Sequence, residues 1–492
     1  MSFEDAHTNN DAADYNNYIS ELLGCDLWAD QTLEQWAFSQ LHSLDLPDAR
    51  LKQRCLKIFI NMAEKPQNSI NQAHHDWAGA KGAYRFVENE RVTPEALQNP
   101  IGDAAARACA SYDTILAVQD TTTLSFESAR QAQGLGTVND SSTGRGMFYH
   151  PVLALSEDGL PLGLLDQKTW CREAEIKHKA KDRRKRRILD KESAKWLQGV
   201  AAVHLALKTN LPEKERPKVI HVFDREGDVH EVFELIDQLG DGAVIRSAHN
   251  RRVRAEDGQN GYARDLVRQA PLLGNTIIDV PRKPGEKKRK AELQIRVRPV
   301  TVTPNNQRHP DRRPVSLIMV ELWEAEPPGK AAPIHWLLWT TEAVHDLADA
   351  LWGLNIYLKR WKIEEFFFAL KQGCRVEKLQ FETAERLAKA VALYAPIALR
   401  ILQCRDLARM APEAPCTIIL SEDEWKVLWL KIHKKPPLKD QAPPTIEQAT
   451  LWIGRLGGHL NRKSDGMPGL KTLWLGFHDL AIMADIYSMT KQ

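Results

Sequence analysis

Two short apolar segments, each ending in an aspartate, constrain the fold of this chain more than any other feature of its sequence. They read DTILAVQD, which ends at Asp120, and KVIHVFD, which ends at Asp224, and both are typical of buried strands. Amphipathic helix patterns, KESAKWLQGVAAVHLALK and DVHEVFELIDQLG, stand before and after the second segment. Strands and helices in this order predict an α/β core. Carboxylates at strand ends favour a site where loops converge, although an aspartate that only caps the next turn explains each one alone.

The remaining regions differ in pattern. Residues 27–95 have apolar residues at helical spacing, and MFYHPVLALSEDGLPLGLLDQKTW predicts two strands around a turn at residues 157–159. Residues from about 250 to 345 alternate β-rich segments with Pro, Gly and charge clusters, which predicts a β insertion in the α/β core. A long helix is predicted from about residue 344 to 373, with further helices after it, and the first 20 residues are predicted to be disordered.

Composition excludes several classes of protein. A chain of 492 residues is too long for one ordinary core, so two or three domains are expected. No apolar run reaches the roughly 18 residues that a membrane-spanning helix needs, and the polar, acidic start predicts no signal peptide. Seven scattered cysteines without a CxxC pair argue against a zinc ribbon or a disulfide framework. We therefore expect a cytoplasmic protein with no membrane association.

Net charge does not predict a nucleic-acid partner, because it is only +2. Basic residues are instead concentrated locally, in KHKAKDRRKRR at residues 177–187 and in KKRK at residues 287–290. Such a run is either a solvated loop or an arm that contacts DNA phosphates and releases counterions. Neither run is specific alone, and both interpretations stay open.

The predicted long helix carries four polar residues along one stripe. At about 100° of rotation per residue, Tyr357, Arg360, Glu364 and Lys371 fall within an arc of about 60°, and Glu365 falls outside it. One stripe therefore offers a carboxylate flanked by two cations and a phenol. An exposed helix with an intrahelical Arg360–Glu364 pair explains the same pattern, and such a pair contributes only about 0.3–0.5 kcal/mol.

Three carboxylates from distant positions suit phosphoryl chemistry. Mg²⁺ prefers oxygen ligands and usually takes one or two carboxylates together with substrate phosphate and water. Two such ions, about 3.5–4 Å apart, can stabilise both the attacking and the leaving oxygen at a phosphodiester. Asp120, Asp224 and Glu364 are the candidates, and the adjacent cations would hold phosphates beside the reacting bond.

In these residues the sequence resembles the DDE transposases of bacterial insertion sequences, in the subgroup with a Tyr-(2)-Arg-(3)-Glu-(6)-Lys signature. Tyr357, Arg360, Glu364 and Lys371 match the signature with its spacing, within YLKRWKIEEF. The two aspartate blocks match as VQDTTTLSF and VFDREGDVHEVF. Weaker matches extend the resemblance in the same order over nearly the whole chain: GAYRFVEN, AVIRSAHNRR, PIHWLLWTTEAV and IGRLGGHLNRKSDGMPGLKTLW.

The resemblance implies an α/β fold with a ribonuclease-H-like catalytic core and a β-rich insertion, flanked by helical N- and C-terminal domains. It implies a DNA-end-binding domain at residues 1–93 and a catalytic domain at residues 94–410 with its insertion at about 250–345. Residues 411–492 would form a dimerisation domain.

The resemblance also implies residue roles. Asp120, Asp224 and Glu364 would bind two Mg²⁺ or Mn²⁺ ions, and the DNA-binding set would be Tyr357, Arg360, Lys371, Arg246, Arg225 and Trp336. Trp336 lies where hairpin-forming members place an aromatic that stacks on an unstacked base, although a role as a strand core residue, like that of Trp339, stays open. This chain departs from a close relative at Phe368, which replaces a lysine on the same helical face, and its run 177–187 has no recognised counterpart.

The implied function is cut-and-paste transposition by a homodimer in a synaptic complex. Its DNA partners would be the terminal inverted repeats of the transposon ends and a target DNA, and its reactions would be strand cleavage, hairpin formation and strand transfer. Two rivals remain at this point. One is a metal-dependent nuclease on the same core that cuts without joining, and the other is an inactive transposase that acts as a repressor, against which the intact carboxylates argue.

Overall fold

The computed structural model describes residues 33–74, 76–138, 144–172, 187–280, 289–304, 312–329, 332–462 and 465–490. The predicted disorder of the first 20 residues lies outside the described residues. The same holds for the basic run at residues 177–187 except Arg187, and for Lys287 and Lys288.

The chain begins with a group of helices whose starts are fixed by local hydrogen bonds. Asp48, Asp76 and Thr93 each accept a backbone N–H of the first turn that follows them, which satisfies donors that a helix start leaves open. The helices are α1 (Leu33–Leu41), α2 (Ala49–Glu64), α3 (Ile70–Ala73), α4 (Trp77–Glu88) and α5 (Pro94–Cys109). The helical character predicted for this region is confirmed.

Thirteen strands of the described residues form one mixed sheet. They are β1 (Thr114–Gln119), β2 (Thr122–Ser125), β3 (Gly136–Thr137), β4 (Arg145–Ser156), β5 (Pro161–Trp170), β6 (Lys218–Phe223), β7 (Gly242–Arg246), β8 (Arg252–Ala255), β9 (Asn260–Tyr262), β10 (Leu272–Val280), β11 (Arg289–Val302), β12 (Val315–Trp323) and β13 (His335–Thr340). At its centre β5, β4 and β1 pair antiparallel, while β1, β6 and β7 pair parallel. The predicted strands that end at Asp120 and Asp224 are therefore central neighbours.

The predicted β insertion continues the same sheet. Strand β13 pairs antiparallel with β7, and β12, β11, β8 and β9 follow in that order. Strand β10 pairs with the first part of β11, along the same edge that β8 pairs with at its end. Register places Leu338 beside Arg246 and Trp339 beside Ile245. The insertion is thus joined to the core by a strand pair, which fixes β13 relative to the ends of the central strands.

Helices cover the sheet and complete the chain. They are α6 (Ala194–Asn210), α7 (His230–Leu239), α8 (Ala263–Gln269), α9 (Leu347–Lys359), α10 (Trp361–Phe368), α11 (Ala384–Met410), α12 (Glu422–His433), α13 (Ile446–Leu456) and α14 (Leu470–Met489). Short 3-10 turns are formed by Glu127–Ala129, Ile188–Asp190, Glu213–Glu215, Arg225–Gly227, Val376–Lys378 and Cys416–Ile418.

The long helix predicted at about 344–373 is divided into three parts. At Arg360 a backbone N–H bonds to the Tyr357 carbonyl, three residues back, which tightens the helix between α9 and α10. After α10 a π-helical turn, Ala369–Gly373, widens it, and the Cys374 N–H bonds to the Ala369 carbonyl, five residues back. Arg360 itself keeps helical dihedral angles, φ −50° and ψ −32°, so the chain direction is preserved through the tight turn.

Helix α11 is the central helix of the core. It is the one described helix long and apolar enough to cross a membrane, and 94% of its apolar window is buried inside the protein. Lys389 on this helix is buried and donates to the carbonyls of Val87 and Asn89, which ties the end of α4 to it. Beyond α11, helices α12 to α14 form a second apolar cluster around Leu428 and Ile453.

Candidate active site

Asp120 lies in an interruption between β1 and β2, both of which pair with β4. Gln119 pairs with Val152 and Thr122 pairs with Tyr149, so one register runs through the interruption and puts Pro151 opposite Asp120. Proline has no backbone N–H, so the ladder loses a donor at this point. The aspartate thus stands in a stretch of strand that the sheet supports only weakly.

Asp224 directly follows β6, the parallel neighbour of β1. Val118 lies beside Val222 in that pair, and the same register carried two residues further puts Asp224 beside Asp120. The Asp224 side chain accepts the backbone N–H of Glu226 at 2.8 Å and so caps the 3-10 turn that begins with Arg225. Asp224 therefore caps the next turn and also lies at the edge of the sheet beside Asp120.

Glu364, on α10, reaches the same edge of the sheet through Arg360. One guanidinium nitrogen of Arg360 lies 2.9 Å from an oxygen of Asp120 and 3.5 Å from an oxygen of Glu364. The two carboxylates therefore lie no farther apart than these two contacts allow. The structure brings together the three acidic residues predicted from the sequence, with one arginine between two of them.

Electrostatics at this edge are dominated by crowded negative charge. Burial, reinforced by the charge of Asp224 and, more weakly, of Glu364, raises the pKa of Asp120 to about 7, although a backbone N–H and Arg360 act in the opposite direction. Carboxylates in mutual repulsion are a donor set that suits a hard divalent cation such as Mg²⁺. Among the described residues, however, no group of three or more His, Cys, Asp or Glu side chains is gathered closely enough to hold a metal ion. The donor chemistry fits a metal, and the side chains would have to close around it.

Glu365 has a different environment from its neighbour, as the helix geometry predicted. It accepts two hydrogen bonds from Arg405 on α11, at 2.8 and 2.6 Å. Arg405 also bonds to the buried Asp406, which accepts a further bond of 2.7 Å from Lys362. This group of four residues connects α10 to α11 on the side of the helix away from Asp120.

Tyr357 and two other predicted DNA contacts form a column beside the acidic group. The ring of Trp336 lies edge-on to Tyr357 with 6.0 Å between ring centroids, and the guanidinium of Arg246 lies over Trp336 at 5.8 Å. Trp336 is half-buried, whereas Trp339 is fully buried in the core. The sequence left the roles of the two tryptophans open, and only Trp336 borders open space.

That open space is a cavity of about 420 Å³ with a strongly basic lining. It is bordered by Arg225, Arg246, Ser247, Arg264, Val280, Arg289, Ala332, Pro333, Ile334, His335, Trp336 and Leu337. Arg289 is already paired with the buried Glu324. An aromatic ring surrounded by arginines can hold a flat group together with a phosphate.

Lys371 lies in the π-helical turn, one helix segment further on. Burial lowers the pKa of Lys371 below its usual value, while Glu377 and Glu364 act in the opposite direction. Phe368, at the start of this turn, packs against Trp474 of α14 with ring centroids 5.4 Å apart. The residue that replaces a lysine in this chain therefore connects the predicted site helix to the C-terminal helices.

Several site residues were missed by sequence reasoning. Arg264 and Arg289 line the basic cavity, but they lie on α8 and β11 and share no spacing that marks them. Trp361 follows Arg360 directly and is 63% exposed, which is unusual for so large an apolar side chain. Its place in the signature helix was the one available signal.

Three models of known protein families match this chain. A model of the transposase DDE domain matches residues 175–398, a transposase DNA-binding model matches residues 33–92, and a model of the transposase Tn5 dimerisation domain matches residues 396–491. The three matches lie in one order and together cover most of the chain. The chain belongs to the Tn5-like DDE transposases. The DDE transposase family predicted from the sequence is confirmed, while the Tyr-(2)-Arg-(3)-Glu-(6)-Lys signature stays a prediction.

A DDE transposase is a DNA-cleaving and DNA-joining enzyme that depends on divalent metal. The matches to DNA-binding and dimerisation domains confirm DNA as a partner and the formation of dimers. Asp224 and Glu364 lie within the matched DDE range, and Asp120 precedes it. Among solved structures, the chain is similar to the cryo-EM synaptic complex of piggyBac transposase with hairpin DNA, at 8% identity over 80% of this chain and 76% of that chain. The TM-score of that match is 0.34.

Proposed function

We propose that this transposase performs cut-and-paste transposition and that Asp120, Asp224 and Glu364 are its catalytic carboxylates. The observation that carries the proposal is the bridge of Arg360 between Asp120 and Glu364, at 2.9 and 3.5 Å, beside a strand pair whose register adds Asp224. The three residues come from two strands and a helix far apart in sequence. A set of this kind at the ends of central strands is typical of a catalytic centre.

The three carboxylates would hold the metal, as two Mg²⁺ or Mn²⁺ ions per site. Bound there, the ions would supply positive charge toward the attacking and leaving oxygens at phosphorus. The chain itself positions the DNA: Arg360 and Lys371 offer cations to phosphates on either side of the reacting bond. When DNA and metal enter, Arg360 is free to exchange its carboxylate partners for a phosphate.

Four displacements at phosphorus make up the proposed reaction. Water replaces a 3′ oxygen at one strand of each transposon end, and the freed 3′-OH attacks the opposite strand to form a hairpin. Water then opens the hairpin, and the 3′-OH attacks a target DNA. Every step exchanges one P–O bond for another, so one site serves all four.

Transposon-end DNA would be held by the column beside the carboxylates. We assign phosphate contacts to Tyr357, Arg246 and, at the mouth of the cavity, Arg225. Trp336 would stack on a base that leaves the helix during hairpin formation, a contact that contributes about 1–3 kcal/mol per base. The basic cavity next to Trp336 has room for such a base together with its phosphate.

A ribonuclease-H-like core is the fold that we propose for the catalytic domain. Its support is the central strand order β5-β4-β1-β6-β7, in which the first three strands are antiparallel and the last two run parallel to β1. We propose domains at residues 1–93, 94–410 and 411–492, with the insertion at about 250–345.

The protein would act in the cytoplasm of a bacterial cell. Its substrates would be terminal inverted repeats and a target DNA, and its active form would be a homodimeric synaptic complex.

The decisive test is a strand-transfer assay. The DNA flanking the gene identifies the inverted repeats, and a labelled end carrying one of them is incubated with plasmid, Mg²⁺ and the full chain. We expect cleaved ends and joined plasmid products. Cleavage without any joined product would favour the rival nuclease and overturn the transposition proposal.

A variant separates catalysis from binding in the same assay. Glu364→Ala should abolish cleavage and leave binding of the labelled end nearly intact, because the carboxylate is needed for chemistry. Glu382→Ala is a matched control, since this glutamate is 85% exposed and, like Glu364, pairs with an arginine four positions away, Arg386. Cleavage that survives Glu364→Ala would refute the assignment of this residue.

A further inference from the structure

Behind Asp120, on the face of the sheet away from the catalytic helix, three polar side chains are linked by hydrogen bonds, and two of them, Gln119 and His150, are fully buried. His150 on β4 is fully buried, and its two ring nitrogens lie 2.9 Å from the hydroxyl of Thr121 and 3.1 Å from the amide oxygen of Gln119. Gln119 and Thr121 are the two neighbours of Asp120 in sequence. One histidine therefore contacts both residues that flank the first carboxylate.

Strand geometry gives this contact a direction. Successive side chains of a strand point to opposite faces, so Gln119 and Thr121 share one face and Asp120 points to the other. Tyr149, next to His150, packs against Phe366 of the catalytic helix α10. The face of His150 is instead covered by α6, where Trp196 lies edge-on to the imidazole at 5.0 Å.

Helix α6 covers these three side chains, and it leaves room for Gln119 because residue 199 is a glycine. A Cβ at Gly199 of α6 would lie 2.3 Å from the amide oxygen of Gln119. A neutral imidazole has one donor and one acceptor nitrogen. The ring can then donate to the Gln119 oxygen and accept from the Thr121 hydroxyl.

The backbone at Asp120 needs support from side chains. Asp120 lies opposite Pro151, so the backbone ladder has no N–H to offer at this point. The side-chain clamp on the two flanking residues replaces the missing ladder contact. Without it, the aspartate would sit in a strand interruption held from one side only.

We propose that His150 is a positioning residue that fixes the direction of the Asp120 carboxylate by clamping Gln119 and Thr121. The inference rests on the proposed role of Asp120 as a metal ligand and adds a residue to which nothing in the signature motif points. Partners outside the ligand set orient ligands in many metal sites, and their loss lowers metal affinity by about 10–100-fold.

The test is Mn²⁺ binding to the full chain by calorimetry, together with end cleavage. Thr121→Val removes one contact at a half-buried position, and His150→Phe removes both while keeping an aromatic ring against Trp196. Each should weaken Mn²⁺ binding by about tenfold or more and raise the Mn²⁺ concentration needed for half-maximal cleavage, with end binding unchanged. His150→Asn, which can still accept from Thr121, should recover part of the affinity.

A variant that fails to fold does not leave the proposal undecided. In the triple variant Gln119→Met, His150→Phe, Thr121→Val the whole polar chain becomes apolar, and replacing all partners together avoids stranded buried groups. It should unfold near the wild-type temperature and still bind Mn²⁺ weakly. Tyr149→Phe is the matched control, because it removes one buried bond of the same strand, to Gln167, without touching either neighbour of Asp120.

Asp120→Asn separates failure of this inference from failure of the proposed function. If Asp120→Asn loses Mn²⁺ binding while the folded triple variant binds like the wild type, the positioning role of His150 is refuted and the ligand role of Asp120 stands. If Asp120→Asn itself binds Mn²⁺ normally, the ligand assignment is refuted, and the positioning role falls with it.

Discussion

Glu364 and Glu365 are neighbours on one helix, yet their surroundings are opposite. Glu364 is 38% exposed, shares Arg360 with Asp120, and belongs to a group with more negative than positive charge. Glu365 is held by a bidentate contact from the buried Arg405. Lys362 and Asp406 form a second ion pair beside it, so two positive charges balance two negative charges. One side of the helix has unbalanced charge, which a ligand can neutralise, and the other side has charges that already satisfy one another. Excess charge, rather than the presence of a carboxylate, distinguishes the functional side.

The largest effect is expected on the rate of cleavage, when the carboxylate on the functional side of the helix is replaced. Glu364→Gln should lower the rate of end cleavage by about 10²–10³-fold or more, because one of the carboxylates that would hold the metal ions at the reacting phosphate is lost. Its melting temperature should stay close to that of the wild type, since the Glu364 side chain is 38% exposed and its ion pair with Arg360 is 3.5 Å long. A cleavage time course and thermal unfolding on the same preparation measure both quantities. A large loss of stability in this variant would mean that both sides of the helix are structural.

The opposite side should respond in stability. Asp406→Ala removes the buried acceptor that Lys362 and Arg405 share and leaves Glu365 alone to balance both cations. Removal of one partner from a buried ion pair costs about 3–5 kcal/mol. We expect a lower midpoint in denaturant unfolding, with cleavage per folded molecule reduced less than in Glu364→Gln. Arg409→Ala, one turn further along α11, is a useful control, because it removes an exposed cation of the same helix whose charge acts on Asp406 and Glu365. Equal stability of Asp406→Ala and the wild type would contradict the assignment.

Sequence reasoning reached one side of this comparison and not the other, for a physical reason. Glu364 could be distinguished from Glu365 because the rotation per residue of a helix depends only on nearby sequence. Asp120 and Asp224 could be identified because each directly follows a short apolar segment. The partner of Glu365 is Arg405, 40 positions away, and the partner of Thr121 is His150, 29 positions away. Contacts of that range depend on how elements pack, which periodicity does not encode.

The helix itself shows the same limit. Its apolar pattern predicted one element, and the tight turn at Arg360 and the π-helical turn after Phe368 depend on single hydrogen bonds to carbonyls three and five residues back. Arg264 and Arg289 were missed for a related reason, since they join Arg246 only after β13 has paired with β7. The ligand candidates of the site were thus predictable, and most of its supporting contacts were not.

A smaller effect is expected at Trp336, where the functional side meets the basic cavity. Trp336→Ala should weaken binding of an end that carries an unpaired base by about 1–3 kcal/mol, with a fully paired end affected less. Trp336→Phe should keep part of the contact, because a ring remains between Arg246 and Tyr357. Fluorescence anisotropy with paired and unpaired ends gives the difference. If alanine weakens both ends alike, Trp336 acts through packing and not through a base.

The smallest expected effect tests how far the functional side extends along the helix. Phe368 packs against Trp474 of α14, and Phe368→Lys should cost about 0.5–1.5 kcal/mol of stability by loss of that ring pair. If the functional stripe continues past Glu364, the new cation reaches one phosphate, and the slope of log K against log salt for end binding becomes steeper by about 0.9. Phe368→Leu is the control, since it loses the same ring pair without adding charge. A lysine variant whose salt slope equals that of the leucine variant would show that the stripe ends before residue 368, and that in this chain the position serves contact with the C-terminal helices instead of DNA.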